Sequence, residues 1–83
     1  METIRVQVYL PAADRNFEIR VPQAMNSLMA AHLTAEAAAS LSDGAYLPSR
    51  SSLFAWRDSG RLLDMSRSLE QENVKNGSRL ILI

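Results

Sequence analysis

The chain has 83 residues, of which 47% are hydrophobic and none is cysteine, so one hydrophobic core must stabilise it and disulfides, thiolate nucleophiles and sulfur-based zinc sites are excluded. Nine basic and nine acidic residues cancel, which leaves no net charge to attract a nucleic acid. No apolar run approaches the length of a membrane span or a signal h-region. We expect a single cytoplasmic domain over residues 1–83, without a nucleic-acid partner and without membrane insertion.

The first third of the chain has the pattern of two strands. Apolar and polar residues alternate from Thr3 to Leu10 and again from Phe17 to Val21, as in strands with one buried face. Residues 11–16 are rich in turn formers, and Pro22 has no N–H group with which to continue a ladder. These features predict an antiparallel hairpin.

A helix is predicted over residues 28–41, where alanine is abundant and charge is almost absent. Asn26 or Ser27 can cap its first N–H groups, and the Asp43-Gly44 pair can end it. Residues at 3-to-4 spacing mark its buried face, with Leu33, Ala37 and Leu41 beside it: Leu28, Ala31 or His32, Ala35 and Ala38.

The second half of the chain predicts shorter elements. A loop at 45–52 leads to a strand at 52–57, and a turn at 58–60 leads to a short return strand at 61–63. A mostly polar connection then reaches the Asn76-Gly77 turn and a strongly apolar last strand, 79–83. The order predicts an α+β fold of ββαββ type, in which the first and last strands pair in parallel at the centre of a mixed sheet and one helix covers one face.

This order resembles the ubiquitin-like β-grasp fold. The later half carries the motif, with Leu69, then Val74, then Asn76-Gly77-Ser78 and the alternating last strand. Within that fold the chain is similar to the small YukD/EsaB-like bacterial proteins, whose N–G–[SD]–R–L element is seen here as residues 76–80. The resemblance implies an accessory or regulatory component of a type VII (WXG100) secretion system, docked on a cytoplasmic part of a membrane component.

The fold also hosts carriers that act through a C-terminal Gly-Gly, but this sequence ends in a β-branched isoleucine preceded by strand residues. Ubiquitin-like or sulfur-carrier conjugation is therefore the disfavoured alternative, and a self-assembling structural domain is a third. His32 is the only histidine and has no cysteine with which to form a catalytic pair. We predict no enzymatic activity, no catalytic residue, no cofactor and no metal.

A protein-binding surface is the remaining prediction. On the last strand Leu80 and Leu82 should face the helix, which sends Ile81 and Ile83 to the opposite face. One pair of the third strand, Leu53 with Ala55 or Phe54 with Trp56, must share that opposite face. If it is the aromatic pair, the result is an apolar patch with arginines at its rim, and otherwise the aromatic pair covers the edge of the core. The predicted patch consists of Phe54, Trp56, Ile81, Arg5 and Arg79.

The helix offers a second candidate surface. Its alanines would let another backbone approach, and Met25, Met29 and His32 are possible contacts. A symmetric homodimer through the helix or the sheet is one way to use this surface.

Overall fold

A four-stranded mixed sheet carries one helix in the computed structural model, which describes residues 2–41 and 52–83. The sheet order is β2-β1-β4-β3, which confirms the predicted α+β arrangement. The elements in chain order are β1 (Thr3–Leu10), β2 (Arg15–Pro22), α1 (Ser27–Leu41), β3 (Phe54–Trp56) and β4 (Arg79–Leu82).

The hairpin of β1 and β2 is the most regular part of the molecule. Its antiparallel register runs from Thr3 opposite Pro22 to Leu10 opposite Arg15. The second strand therefore begins two residues before the apolar alternation does. The turn closes with Asp14 at a φ of 49°, a conformation that aspartate tolerates better than most residues do.

The helix begins where the sequence indicates, and the side chain of Asn26 caps it. The Asn26 Oδ1 atom accepts hydrogen bonds from the N–H groups of Leu28 (2.9 Å) and Met29 (3.4 Å). The predicted helix end at Asp43-Gly44, and the loop at 45–51, lie outside the described residues.

The buried face of α1 consists of small side chains, which is a correction to the predicted face. Leu28 and Leu33 were expected on or beside that face, yet they are 39% and 46% exposed. Small residues allow the helix backbone to approach the sheet closely, so the larger leucines occupy the other side. The buried helix residues are Ser27, Ala30, Ala31, Thr34, Ala35 and Ala38.

Parallel pairing of β1 with β4 at the centre of the sheet is confirmed, with Val8 opposite Leu80. The strand β3 is shorter than predicted. The predicted return strand at 61–63 is reduced to a single bridge between Ala55 and Leu62. Beyond β4, Ile83 exchanges backbone hydrogen bonds of 2.9 and 3.0 Å with Leu53.

The Asn76-Gly77 pair extends the β1 ladder. The side-chain oxygen of Asn76 accepts the Arg5 N–H at 2.8 Å, and the Gly77 N–H donates to the Arg5 carbonyl at 2.8 Å. Gly77 has a φ of 84°, which suits a residue without a side chain. The ladder continues where the Gln7 N–H donates to the Ser78 carbonyl at 2.9 Å.

Candidate functional site

The register of the sheet decides which side chains lie on the face opposite the helix, here called the outer sheet face. Residues directly opposite each other on neighbouring strands share a face. The described side chains of this face lie in cross-strand rows: Tyr9, Asn16, Ile81 and Ala55 in one, Gln7, Glu18 and Arg79 in the next, and Arg5 with Arg20 in a third.

Phe54 and Trp56 lie on the inner face, so their predicted place in an outer patch is wrong. Phe54 is opposite Leu82, Trp56 is opposite Leu80, and both leucines face the helix. Phe54 has no exposed surface, and Trp56 is half-buried against the core. The aromatic pair therefore lies on the core side of the sheet, with Phe54 inside the core and Trp56 packed against it.

The other three predicted residues do share the outer sheet face. Ile81 is half-buried, and beside it Ala55 is 1% exposed. Arg5 and Arg79 are exposed, and each lies near an acid, with N–O distances of 3.6 Å to Glu18 and 3.5 Å to Asp58. Exposed ion pairs of this kind contribute little to stability.

A polar cluster around Tyr9 is the feature that the sequence did not indicate. The guanidinium of Arg57 lies 4.9 Å from the centre of the Tyr9 ring and donates to Asn16 Oδ1 at 2.8 Å. The Tyr9 hydroxyl donates to Asp14 at 2.9 Å, and this bond raises the pKa of Tyr9 above its ordinary value. The pairing of Tyr9 with Asn16 in the hairpin register is the only signal that could have suggested it.

The outward side of α1 forms an apolar surface, here called the helix surface. Met29 is 55% exposed and Leu33, one turn further, is 46% exposed. The predicted contact His32 is half-buried on the same helix. Met25 was predicted on this surface, but it precedes the helix and packs against the core. The large exposed apolar residues of α1 are Leu28, Met29, Leu33 and Leu41.

Within the described residues, no three histidine or acidic side chains are grouped closely enough to hold a metal ion. A shallow depression near β3 is lined by Trp56, Asp58, Ser59 and Arg61. Within residues 2–41 and 52–83, no helix is long and apolar enough to cross a membrane.

Comparison with solved structures identifies the class of fold as ubiquitin-like. The ubiquitin-like domain of the Mycobacterium tuberculosis type VII secretion protein EccD1 matches with a TM-score of 0.77 and 20% identity, over 100% of this chain and 99% of that one. The EccD5 ubiquitin-like domain from Mycobacterium xenopi matches with a TM-score of 0.82 and 17% identity, over 100% of this chain and 94% of that one.

A ubiquitin-like domain from a different setting is similar to a comparable degree. That of Plasmodium falciparum Dsk2 gives a TM-score of 0.74 and 17% identity, over 98% of this chain and 96% of that one. No model of a known protein family matches the sequence, and no curated protein sequence does. The comparisons therefore establish the fold, and function has to be argued from the surfaces.

Proposed function

We propose that this chain is a non-enzymatic protein-interaction module of a bacterial type VII secretion system, acting in the cytoplasm by surface binding and not by conjugation. Its likeness to the ubiquitin-like domains of two EccD proteins over the whole chain supports the setting. The YukD/EsaB-like motif at residues 76–80 supports it independently. The partner we propose is a cytoplasmic part of a secretion-system membrane component.

The exposed apolar surface of α1 is the observation that carries this proposal. Of the six large hydrophobic residues that are exposed in the described part of the chain, four belong to this one helix and two, Leu62 and Ile83, lie elsewhere. Met29 and Leu33 are one helical turn apart and therefore adjacent, and exposed apolar surface of this kind typically marks a site of protein association. Glu36 is the only charged residue within the helix, so a partner would have one ion to desolvate.

The outer sheet face is the weaker candidate for the same partner. Its apolar residues are the half-buried Ile81 and the buried Ala55, which leave little surface for a hot spot. Its arginines are engaged with Glu18 and Asp58. We therefore assign partner binding to the helix surface and expect an apolar groove on the partner.

A matched pair of substitutions tests the assignment. Met29→Arg places a charge in the helix surface, and Leu62→Arg places the same charge on a residue of nearly equal exposure, 55% against 52%, outside the helix. Binding would be measured by calorimetry against the purified cytoplasmic domains of a type VII secretion membrane ATPase from the same organism. We expect Met29→Arg to weaken binding about tenfold or more, because a charge is buried without a partner, and Leu62→Arg to leave it unchanged.

Two results would overturn the proposal. If the unaltered protein binds none of the cytoplasmic domains of the organism's type VII secretion components, the setting is wrong. If it binds and both variants bind equally well, the helix surface is not the binding site. Circular dichroism of both variants controls for folding.

A further inference from the structure

The strand β2 is a long, open edge of the sheet. It spans eight residues, whereas the opposite edge strand β3 spans three. In the part of the chain that the structure describes, β2 pairs with β1 on one side and with no strand on the other. Such an edge presents unpaired N–H and C=O groups that can template pairing with another strand.

The hydrogen bonds that β1 forms on its β4 side show in which direction each backbone group of the hairpin points. On β1 the Gln7 N–H donates to Ser78, and the Arg5 carbonyl accepts from Gly77. The odd-numbered residues of β1 therefore direct their backbone groups toward β4. Because these directions alternate along a strand, the even-numbered residues direct theirs toward β2.

The same alternation identifies the free groups of β2. Val6 on β1 is opposite Ile19 on β2, so the backbone groups of Ile19 bind β1. Those of Glu18 and Arg20 then point away from the hairpin, as do those of Asn16, and no strand among the described residues pairs with them. The side chains of Asn16, Glu18 and Arg20 are all exposed on the outer sheet face.

Charge selects one register for pairing between two copies of this strand. Antiparallel pairing centred on Glu18 would place Glu18 opposite its own copy, and pairing centred on Arg20 would do the same with Arg20. Pairing centred on Ile19 places Glu18 of each copy opposite Arg20 of the other. Opposite charges at facing positions stabilise a strand pair, and like charges destabilise it.

We propose that two copies of this protein associate through β2, antiparallel and centred on Ile19, to form one continuous eight-stranded sheet. Glu18 and Arg20 of the two copies form two hydrogen-bonded pairs, each exchanging two N–H···O=C bonds. Ile19 then faces its own copy, and Phe17 faces Val21, on the inner side of the sheet. Phe17 and Ile19 are half-buried in the single chain, and the second copy covers them further.

The pairing also gives Arg20 a counter-ion. Across the hairpin Arg20 lies opposite Arg5, another cation, and among the described residues it forms no ion pair closer than 4.0 Å. Glu18 already approaches Arg5 at 3.6 Å. In the dimer the carboxylate of Glu18 is opposite Arg20 of the other copy and diagonal to Arg5 of its own chain, so it lies between two cations.

The symmetry of this dimer has a functional consequence. Its two-fold axis is perpendicular to the sheet, so both helix surfaces lie on one side and both outer sheet faces on the other. A partner with two binding sites would meet two helix surfaces at a fixed spacing, which strengthens binding through effective concentration. The dimer does not depend on the secretion setting proposed above, and each can fail without the other.

Charge reversal tests the register directly by analytical ultracentrifugation of the full chain. We expect the unaltered protein to form detectable dimers as its concentration is raised to about 1 mM. Glu18→Arg and Arg20→Glu should each be monomeric, because each puts like charges opposite one another. An equimolar mixture of the two variants should form a heterodimer, and the double variant should recover self-association.

The control is Arg61→Glu, which makes the same reversal on an exposed residue outside β2 and should dimerise like the unaltered protein. Hydrogen exchange adds a readout at the interface, since the amides of Glu18 and Arg20 should be protected only in the dimer. A monomeric unaltered protein at about 1 mM overturns the proposal. So does a mixture of the two reversal variants that stays monomeric, because the edge charges would then serve to prevent pairing.

Discussion

The hairpin and the segment that connects β3 to β4, residues 57–78, reach the same core by different means. The hairpin is an uninterrupted ladder of backbone pairs from Thr3 to Leu10. The connecting segment has no such ladder and is held by separate backbone hydrogen bonds, such as that of the Leu69 N–H to the Met25 carbonyl, together with side chains that accept from backbone N–H groups. These side chains are those of Ser59, Asp64, Ser68, Gln71, Glu72, Asn76 and Ser78. A repeating backbone pattern stabilises one region, and individual polar contacts stabilise the other.

Both regions nevertheless contribute fully buried side chains to the core. Val6 and Val8 of the hairpin have no exposed surface, and neither do Leu69 and Val74 of the connecting segment. The segment is therefore a structural part of the domain despite its lack of strands. Its polar contacts determine where its apolar side chains enter the core.

Truncation of Leu69, a buried side chain of the connecting segment, should cause the largest decrease in the free energy of unfolding. Leu69→Ala empties a fully buried site and should lower the free energy of unfolding by about 3 kcal/mol. Leu62→Ala makes the same change on a residue that is 52% exposed and should cost less than about 0.5 kcal/mol. Urea denaturation measures both, and equal losses would show that the segment is not anchored through Leu69.

Loss of one side-chain hydrogen bond of the connecting segment should lower the free energy of unfolding by an intermediate amount. Asn76→Ala removes the acceptor of the Arg5 N–H and should cost about 1 kcal/mol in the free energy of unfolding. Asn16→Ala in the hairpin removes an acceptor of the exposed Arg57 side chain, a group that water can solvate. If the hairpin variant is the less stable of the two, the contrast between the regions is wrong.

Acid should cause a small, measurable loss of stability that originates in the connecting segment. The Ser66 hydroxyl and N–H both donate to the Asp64 carboxylate, at 2.6 and 2.9 Å, and hold the pKa of Asp64 below its ordinary value of 3.8. A lowered pKa in the folded state gives stability that is present above pH 3.8 and is lost as the pH falls through the folded-state value. Carbon-detected NMR titration should show this lowered pKa, and Ser66→Ala should move it upward.

An unchanged titration in Ser66→Ala would mean that the hydroxyl does not stabilise the Asp64 carboxylate. The stability of the Asp64→Asn variant gives a second check. Its difference from the unaltered protein should shrink as the pH falls below the ordinary range of the carboxyl group.

Periodicity predicted the hairpin, the helix and the last strand because each repeats its pattern over several residues. The return strand that it predicted at 61–63 was wrong, because only a single bridge forms there, between Ala55 and Leu62. Three residues hold too few repeats to distinguish a strand from an extended loop. The contact of Asn76 with Arg5 joins distant parts of the sequence, and no local pattern contains it.

The candidate site was harder to predict than the fold. On β3 the alternation alone allows either Phe54 or Ala55 to face outward, and only the pairing of Phe54 with Leu82 decides between them. On α1 the apolar residues surround the helix, so amphipathic spacing gives a weak signal. Side-chain size would have identified the buried face, because a helix that packs closely on a sheet has room for alanine there and not for leucine.

The central parallel pair of β1 and β4 links Gln7 to Arg79 and so joins the two ends of the chain. A contact between such distant positions in the sequence slows folding, because the intervening chain must be ordered before the pair can form. Until β4 joins the sheet, the β1 edge opposite β2 stays unpaired and Leu80 and Leu82 are missing from the core. The hairpin and the helix therefore cannot complete the core before the last strand is in place.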